Sequence, residues 1–445
     1  KREYDRMAYH FGSYRAVLVR RVPPAWVAEL PRQAVAGFIS TDGTTSGHVA
    51  IMARDLGVPA VIGLPLDPGE LDGKQVIVDG ERGEVLLDPS PQVLGEYQQL
   101  LSQREEQTSL YSAERCKPGV TLDGRQISIK LNAGLSHGDE ATLAPQVDGI
   151  GLYRTEVAFM LTHTFPTEGQ QLSWYEKLLG QFAPHPVCMR TLDIGGDKSL
   201  DYLPIKETNP ALGWRGVRVT TDQPQILKTQ LRAMLGAQHR HGNLEIMLPM
   251  VSSLDEVRQA RALLNEALGE LSEEVGTSVK APRFGVMIEV PALLYLLDEL
   301  APLVDFFSIG SNDLIQYLLA VDHANPKTSA LFDPFHPAVV RALYRLKTEA
   351  QRLERSIAVC GEIAGSPMGA LLLLSLGYTE LSMNYSELER VKYLVRRVSA
   401  GDLEAVGQQA LRLDNTAAVR ALYDAYARSQ GLLRIVGAMP TPAGE

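Results

Sequence analysis

At 445 residues the chain exceeds what one small hydrophobic core organises, so roughly two or three domains are expected. With 45% hydrophobic and 22% charged residues it has the composition of an ordinary globular protein. A formal net charge of −10 argues against nucleic acid or an anionic membrane surface as a general partner, so phosphate binding must come from local arginines.

The first stretch, residues 1–95, reads as a small α/β domain. Ala16–Val19, Gly37–Ser40, Val58–Ile62 and Gln75–Val78 have strand patterns, and Val49–Leu56 has a helical one. Within it, Thr41-Asp42-Gly43-Thr44-Thr45-Ser46-Gly47-His48 leads small and hydroxylated residues into a histidine at the start of the predicted helix. Near neutral pH an imidazole is partly unprotonated and can attack phosphorus, and a helix N-terminus helps hold the phosphate it acquires. The alternative for His48 is an incidental residue in a helix-capping loop. Residues 96–118 follow as a linker helix, rich in Gln, Glu and Leu and solvated on most of its surface.

From 119 to about 435 strand and helix patterns alternate. Eight strands are expected, at Ile127–Asn132, Gly149–Arg154, Val187–Asp193, Leu244–Met250, Phe284–Glu289, Phe306–Ser311, Ile357–Glu362 and Glu380–Asn384. Helical patterns such as Ser253–Leu268 and Pro291–Leu300 separate them. Eight such units fit an α/β fold of the (β/α)8 TIM-barrel type, with a doubly wound open sheet as runner-up. Residues 436–445 read as a flexible Pro/Gly tail.

Chemistry in a barrel sits at the C-terminal strand ends. Here those ends carry Asn132, Arg154 with Glu156, Arg190 with Asp193, Met250, Glu289, Asn312 with Asp313, Cys360 with Glu362, and Asn384. So many polar groups are expensive to bury without a ligand, although a structural ion-pair network would also satisfy them. Phosphoryl transfer needs in-line positioning and charge neutralisation, which guanidinium groups supply bidentately and permanently. Arg154, Arg190 and Arg215 are the candidates, with Lys198 as a mobile point charge. Glu289 and Asp313 form a carboxylate pair suited to Mg²⁺, which takes its remaining ligands from water and substrate. In the sequence Ser308-Ile309-Gly310-Ser311-Asn312-Asp313, Gly310 ends a strand. Ser311, Asn312 and Asp313 are expected to cap a helix beginning near Leu314. Cys360 ends another strand pattern, where a thiol of tuned acidity can exchange a proton with carbon; an inert core cysteine is the alternative.

These residues lie in segments that resemble the phosphoenolpyruvate (PEP)-utilising enzymes, and within them enzyme I of the PEP:sugar phosphotransferase system. The resemblance runs from about Val35 to Leu394. It is carried in family order by Gly149–Glu156, Arg190–Lys198, Asn209–Arg215, Gly285–Glu289, Gly310–Leu314 and Val359–Glu362. Phe159-Met160-Leu161 and Leu381–Asn384 look more like the nitrogen-branch form. The resemblance implies a swivelling phosphohistidine domain and a (β/α)8 PEP-binding barrel that also makes a homodimer. It assigns phosphoryl acceptance to His48 and Mg²⁺ ligation to Glu289 and Asp313. Phosphate binding falls to Arg154, Arg190 and Asn312, a supporting role to Arg215, and enolate protonation to Cys360. A small histidine phosphocarrier protein would receive the phosphate.

The chain departs from the family in three places. The loop before His48 has Gly47 where the family commonly has serine. His323 stands where an arginine usually meets the substrate, so affinity should be weaker and more pH-dependent. The helical carrier-docking domain that precedes the histidine in enzyme I falls outside this chain. A PEP synthase or pyruvate phosphate dikinase fragment is the rival enzyme, though neither a Gly-rich nucleotide loop nor spare length for an ATP-binding domain is visible. A non-catalytic PEP-sensing module is the rival from another class. Cys116, Cys188 and Cys360, odd in number and far apart, fit a reducing compartment. With no signal peptide and no membrane-spanning run, the expectation is a cytoplasmic protein.

Overall fold

Parallel strands joined by helical crossovers need cover on both faces, and from residue 113 onward the chain supplies it by closing its sheet into a ring under helices. The structure, a computed structural model, describes residues 15–19, 35–40, 58–64, 74–80, 82–134, 143–160, 162–196, 200, 202–205, 207–322, 325 and 327–436. It divides into two compact units, Lys1–Ser112 and Ala113–Glu445.

In the first unit, β1 (Arg15–Val19), β2 (Val35–Ser40) and β3 (Ala60–Ile62) form a parallel sheet in chain order. Phe38 and Ile39 of β2 are buried with Val61 of β3. The strand β4 (Val76–Asp79) pairs antiparallel with β5 (Glu84–Leu87), which the sequence pattern did not mark out. A helix over Pro91–Ser112 follows, and Tyr97 donates a hydrogen bond to Asp79 at 2.8 Å. Leu100, Leu101 and Leu110 of that helix are half or more exposed, as expected of a helix solvated on most of its surface. His48 and the helix expected at Val49–Leu56 lie outside the described residues.

In the second unit all eight expected strands are present. They are β6 (Ser128–Ala133), β7 (Ile150–Arg154), β8 (Val187–Arg190), β9 (Leu244–Leu248), β10 (Arg283–Ile288), β11 (Phe306–Ile309), β12 (Ser356–Val359) and β13 (Glu380–Met383). All pair in parallel, and β13 returns to β6 through Glu380↔Ser128 and Met383↔Leu131, which closes the barrel and removes the open-sheet alternative.

The two-residue period of a strand sorts the barrel's interior into levels. At the base, Lys130 pairs with Glu380 at 2.9 Å and Arg283 with Glu245 at 2.5 Å. Above them Leu152, Cys188, Met247, Met287, Phe306 and Cys360 form one buried cluster. The next inward positions up β8 and β10 are Arg190 and Glu289, so the alternation that fills the barrel also delivers charge to its mouth. Several strands stop short of their expected ends: β8 at Arg190, β11 at Ile309 and β12 at Val359. Beyond those points the side chains bond across the mouth while the backbone leaves the ladder.

The helix at Leu254–Val275 is longer than expected and starts in a capping box between Ser253 and Glu256. The segment expected to be one helix at Pro291–Leu300 is a 3₁₀ stretch, Pro291–Tyr295, followed by a single turn, Leu297–Leu300, with Leu296 at φ −123° and ψ 15° breaking the run. The helix after β11 spans Ser311–Leu319 with Gly310 as its N-cap, so Ser311, Asn312 and Asp313 lie in its first turn and do not cap it. Among the described residues no helix is long and apolar enough to cross a membrane.

Phe307 of β11 is only 1% exposed, and Phe307→Ala should destabilise the barrel by about 3–5 kcal/mol. Urea unfolding of the whole chain checks this: the midpoint of the barrel transition should fall with little change in slope.

Candidate active site

Each barrel strand ends by releasing one or two polar side chains into the same mouth. Arg190, at the tip of β8, is 5% exposed. Its Nη2 pairs with Glu156, in the first turn after β7, and with Asp193 Oδ2 at 3.0 Å. Asp193 accepts in turn from Arg215 Nη2 at 3.3–3.4 Å, and Arg215 Nη1 reaches Asp313 Oδ1 at 3.2 Å and the Tyr317 hydroxyl at 3.4 Å. One chain of charge, Glu156–Arg190–Asp193–Arg215–Asp313, therefore runs from the end of β7 to the helix after β11. The neighbouring carboxylates raise both guanidinium groups further against the opposing effect of burial, so both stay charged. The Nε of each arginine is buried without a hydrogen-bond acceptor.

Glu289, at the end of β10, is buried, and its Oε1 accepts the Met250 N–H at 2.5 Å. Met250 adopts φ 56°, a conformation that costs a non-glycine residue about 1 kcal/mol or more, and this turns its amide toward the carboxylate. Gly310 makes the other wall: a Cβ there would sit 2.7 Å from Glu289 Oε2 and 2.8 Å from Met287 Sδ. Burial, then the negative charges of Asp313 and Asp193, push the Glu289 carboxyl up to about 8, against the pull of Arg190 and Arg215. Glu289 and Asp313 thus share one electrostatic neighbourhood.

Asn312 accepts the Glu362 N–H through Oδ1 at 3.1 Å, which locks its amide against the β12 tip and leaves Nδ2 as a donor without a partner among the described residues. Arg154 likewise forms no ion pair or hydrogen bond with any described residue. Cys360 is 2% exposed; its thiol donates toward the Ile309 carbonyl at 3.4 Å and accepts from the Ser308 hydroxyl at 3.3 Å. Burial raises the thiol, and the Ser308 hydrogen bond, Arg190 and Arg154 only partly offset it, so it is a neutral S–H at neutral pH.

Of the expected site residues, Arg154, Arg190, Arg215, Glu289, Asn312, Asp313 and Cys360 are described, and each is placed at the tip of a barrel strand or in the segment that follows one. His48, Lys198 and His323 lie outside the described residues. Three participants carried no role in the sequence analysis. Tyr317 is one helical turn beyond Asp313, a spacing that marks a shared face. The contribution of Met250 is a backbone amide, which no side-chain pattern announces, and Ser308 lay inside a strand that reads as apolar.

With that geometry in hand, the relationships of the chain are informative. Residues 14–83 match the mobile domain of PEP-utilising enzymes and residues 109–400 match their PEP-binding domain. The chain belongs to the PEP-utilising enzyme family. A protein of Escherichia coli (strain K12) named phosphoenolpyruvate-dependent phosphotransferase system is 45% identical over 406 residues, covering 91% of this chain and 54% of that protein. Its counterpart in Salmonella typhimurium is 44% identical with the same coverage. A phosphoenolpyruvate-protein phosphotransferase of Geobacillus stearothermophilus is 38% identical over 399 residues, 89% of this chain and 69% of that one. The chain thus spans about half the length of the first two relatives.

A family site for a divalent cation can be tested against these residues. Among the described residues no three acidic, His or Cys side chains are grouped to hold a metal by themselves. Glu156, Asp193, Glu289 and Asp313 nevertheless outnumber Arg154, Arg190 and Arg215 by one, and after burial the negative charges of Asp313 and Asp193 are the next causes of the raised Glu289 carboxyl. A carboxylate pair in this setting fits Mg²⁺, which takes its remaining ligands from water and substrate oxygens.

Because folding lifts Glu289 from its ordinary 4.5 to about 8, its neutral form favours the fold. That contribution is complete below about pH 4.5 and is lost as pH rises through 8. Thermal unfolding of metal-free protein should therefore show Tm declining from pH 6 to 9, and millimolar Mg²⁺ should oppose the decline. Gly310→Ala, which drives a methyl group into Glu289, should abolish the Mg²⁺ effect; equal Mg²⁺ responses in both proteins would count against the carboxylate site.

Proposed function

We propose that this chain is the phosphotransfer core of a phosphoenolpyruvate-protein phosphotransferase. On this reading residues 1–95 are the phosphohistidine domain, 96–118 the connecting helix and 119–435 the PEP-binding barrel. The observation that carries the proposal is the barrel mouth itself, where two ion-paired arginines, an uncommitted one, a carboxylate pair and a neutral buried thiol stand together.

PEP brings a carboxylate and a phosphate, and the mouth offers donors to both. Among the described residues Arg154 and Asn312 Nδ2 have no competing partner, and Arg190 and Arg215 each retain an unpaired Nε–H. Arg190 and Arg215 are held by carboxylates before substrate arrives, so little reorganisation is needed as charge shifts in the transition state. Mg²⁺ held by Glu289 and Asp313 would neutralise phosphate oxygens and so favour loss of the phosphoryl group. His48 is the acceptor, and Lys198 and His323 are further contacts to substrate. Departure of the phosphoryl group leaves the enolate of pyruvate, whose C3 takes the Cys360 proton. A thiol raised by burial suits this task, since it must be protonated when the enolate forms. The phosphate would pass from His48 to a small histidine phosphocarrier protein, in a cytoplasmic homodimer built on the barrel.

Incubation with PEP labelled in its phosphate, with and without Mg²⁺, tests the reading. Wild type should acquire acid-labile label only with Mg²⁺, and His48→Ala should acquire none. No label on wild type would favour a PEP-sensing module, for which the altered loop at Gly43–His48 and the histidine at position 323 are the specific grounds. Cys360→Ala should still be phosphorylated, with pyruvate formation slowed on the order of a hundredfold, a size typical of losing a positioned general acid. His323→Arg should lower the KM for PEP by several-fold and flatten its pH dependence, because arginine holds its charge where histidine titrates.

A further inference from the structure

We propose that Ser308 is a positioning residue for protonation of the enolate: its hydroxyl aims the Cys360 thiol and takes up the charge left on sulfur when the proton departs. The inference rests on the function proposed above and concerns one step of it. Ser308 lies in the middle of β11, points into the barrel, and is 2% exposed. Its Oγ donates to Cys360 Sγ at 3.3 Å, and it is the only hydrogen-bond donor to that sulfur among the described residues. The sulfur's own proton is directed at the Ile309 carbonyl at 3.4 Å.

These two contacts have opposite consequences for the reaction. The Ile309 carbonyl holds the thiol in its protonated form and would repel a thiolate. The Ser308 hydroxyl stabilises the thiolate and has no other acceptor among the described residues. Around the pair the charged and titratable groups are few. Arg190 on β8 and Arg154 on β7 favour a thiolate, Glu289 on β10 disfavours it, and Cys188 on β8 is a second buried thiol. Both arginines act at longer range than the hydroxyl. An isolated thiolate in this apolar cluster would be costly to form, so the one hydroxyl touching it governs how readily the proton is given.

In the step itself the enolate's electron pair forms the new C3–H bond and the enolate oxygen becomes the ketone oxygen of pyruvate. The S–H pair remains on sulfur, and the thiolate regains a proton from water before the next turnover. Proton donation requires the thiol form, so the rate of this step falls as pH rises through the thiol's pKa. Removing the hydroxyl makes the thiol a weaker acid, which slows the transfer and moves that alkaline limb to higher pH.

The test uses the full chain with Mg²⁺, comparing wild type, Ser308→Ala, Cys360→Ala and the double variant. His48 labelling from PEP and pyruvate formation are measured separately, and the configuration of the methyl group is followed with stereospecifically C3-labelled PEP in D₂O. Ser308→Ala should label His48 at the wild-type rate with unchanged KM for PEP, make pyruvate roughly ten- to a hundredfold more slowly, shift the alkaline limb upward, and lose stereochemical control as solvent protonates C3. In the Cys360→Ala background Ser308→Ala should have no further effect. Labelling and pyruvate formation lost together in Ser308→Ala would overturn the inference by pointing to a structural role, as would an unmoved pH profile with intact stereochemistry. Failure of wild type to label at all is a different outcome, and it overturns the proposed function along with this step.

Discussion

Two guanidinium groups and three carboxylates in one line, Glu156–Arg190–Asp193–Arg215–Asp313, all buried except the half-buried Asp313, are the constraint on which the barrel mouth depends. Such a line is a poor source of stability, because removing five charges from water offsets most of what their attraction returns. Its value is geometric. Its members come from the ends of β7, β8 and β11 and from the segment after β8, so none of them can drift without leaving a charge of the line uncompensated. Asp193, at 0% exposure between both arginines, is the hub of the line, and it ties the β8 tip to the loop that carries Arg215.

Burial raises two acidities in this mouth, and the charged line adds to only one of them. Glu289 is raised first by burial and then by the negative charges of Asp313 and Asp193, and a cation beside the acids would oppose that second cause. Cys360 is raised chiefly because its surroundings are apolar, and no ion of the site reverses that. A mouth that binds a cation and then protonates carbon needs this asymmetry. Its carboxylate must become charged on loading, and its thiol must stay neutral until the enolate appears.

The barrel was legible because eight apolar strand patterns alternate with helical ones, and because polar residues concentrate at their C-terminal ends. What was misjudged follows from the same residues. Ser311, Asn312 and Asp313 read as caps because short polar side chains favour that position. Here Gly310 takes the N-cap, so Asn312 is free to bind the β12 tip and Asp313 to bind Arg215. The strands end at Arg190, Ile309 and Val359, short of the expected Asp193, Ser311 and Glu362, because the point at which a backbone leaves the ladder is set by its turn into the following loop and not by side-chain pattern. Met250 stands among the strand ends in the sequence but without a role, because its contribution depends on a left-handed φ and a main-chain N–H. Ser308 escaped because one hydroxyl in an apolar strand is indistinguishable, by pattern, from a packing residue.

Asn312 and Asp313 illustrate why adjacent residues on one turn must differ in chemistry. Asn312 meets a backbone N–H with its carbonyl oxygen and so presents its NH₂ group to the mouth, a neutral donor whose orientation is fixed by Glu362. A carboxylate at the same place would accept that N–H equally well but would offer the mouth only another acceptor, beside an acid pair that already crowds Glu289. Asp313, one residue on, is anchored by the Arg215 guanidinium through one of its two oxygens. On the function proposed above the pair would divide the two tasks of an anion site that works through a metal: one residue would donate to the anion, and the next would hold the ion that brings it in.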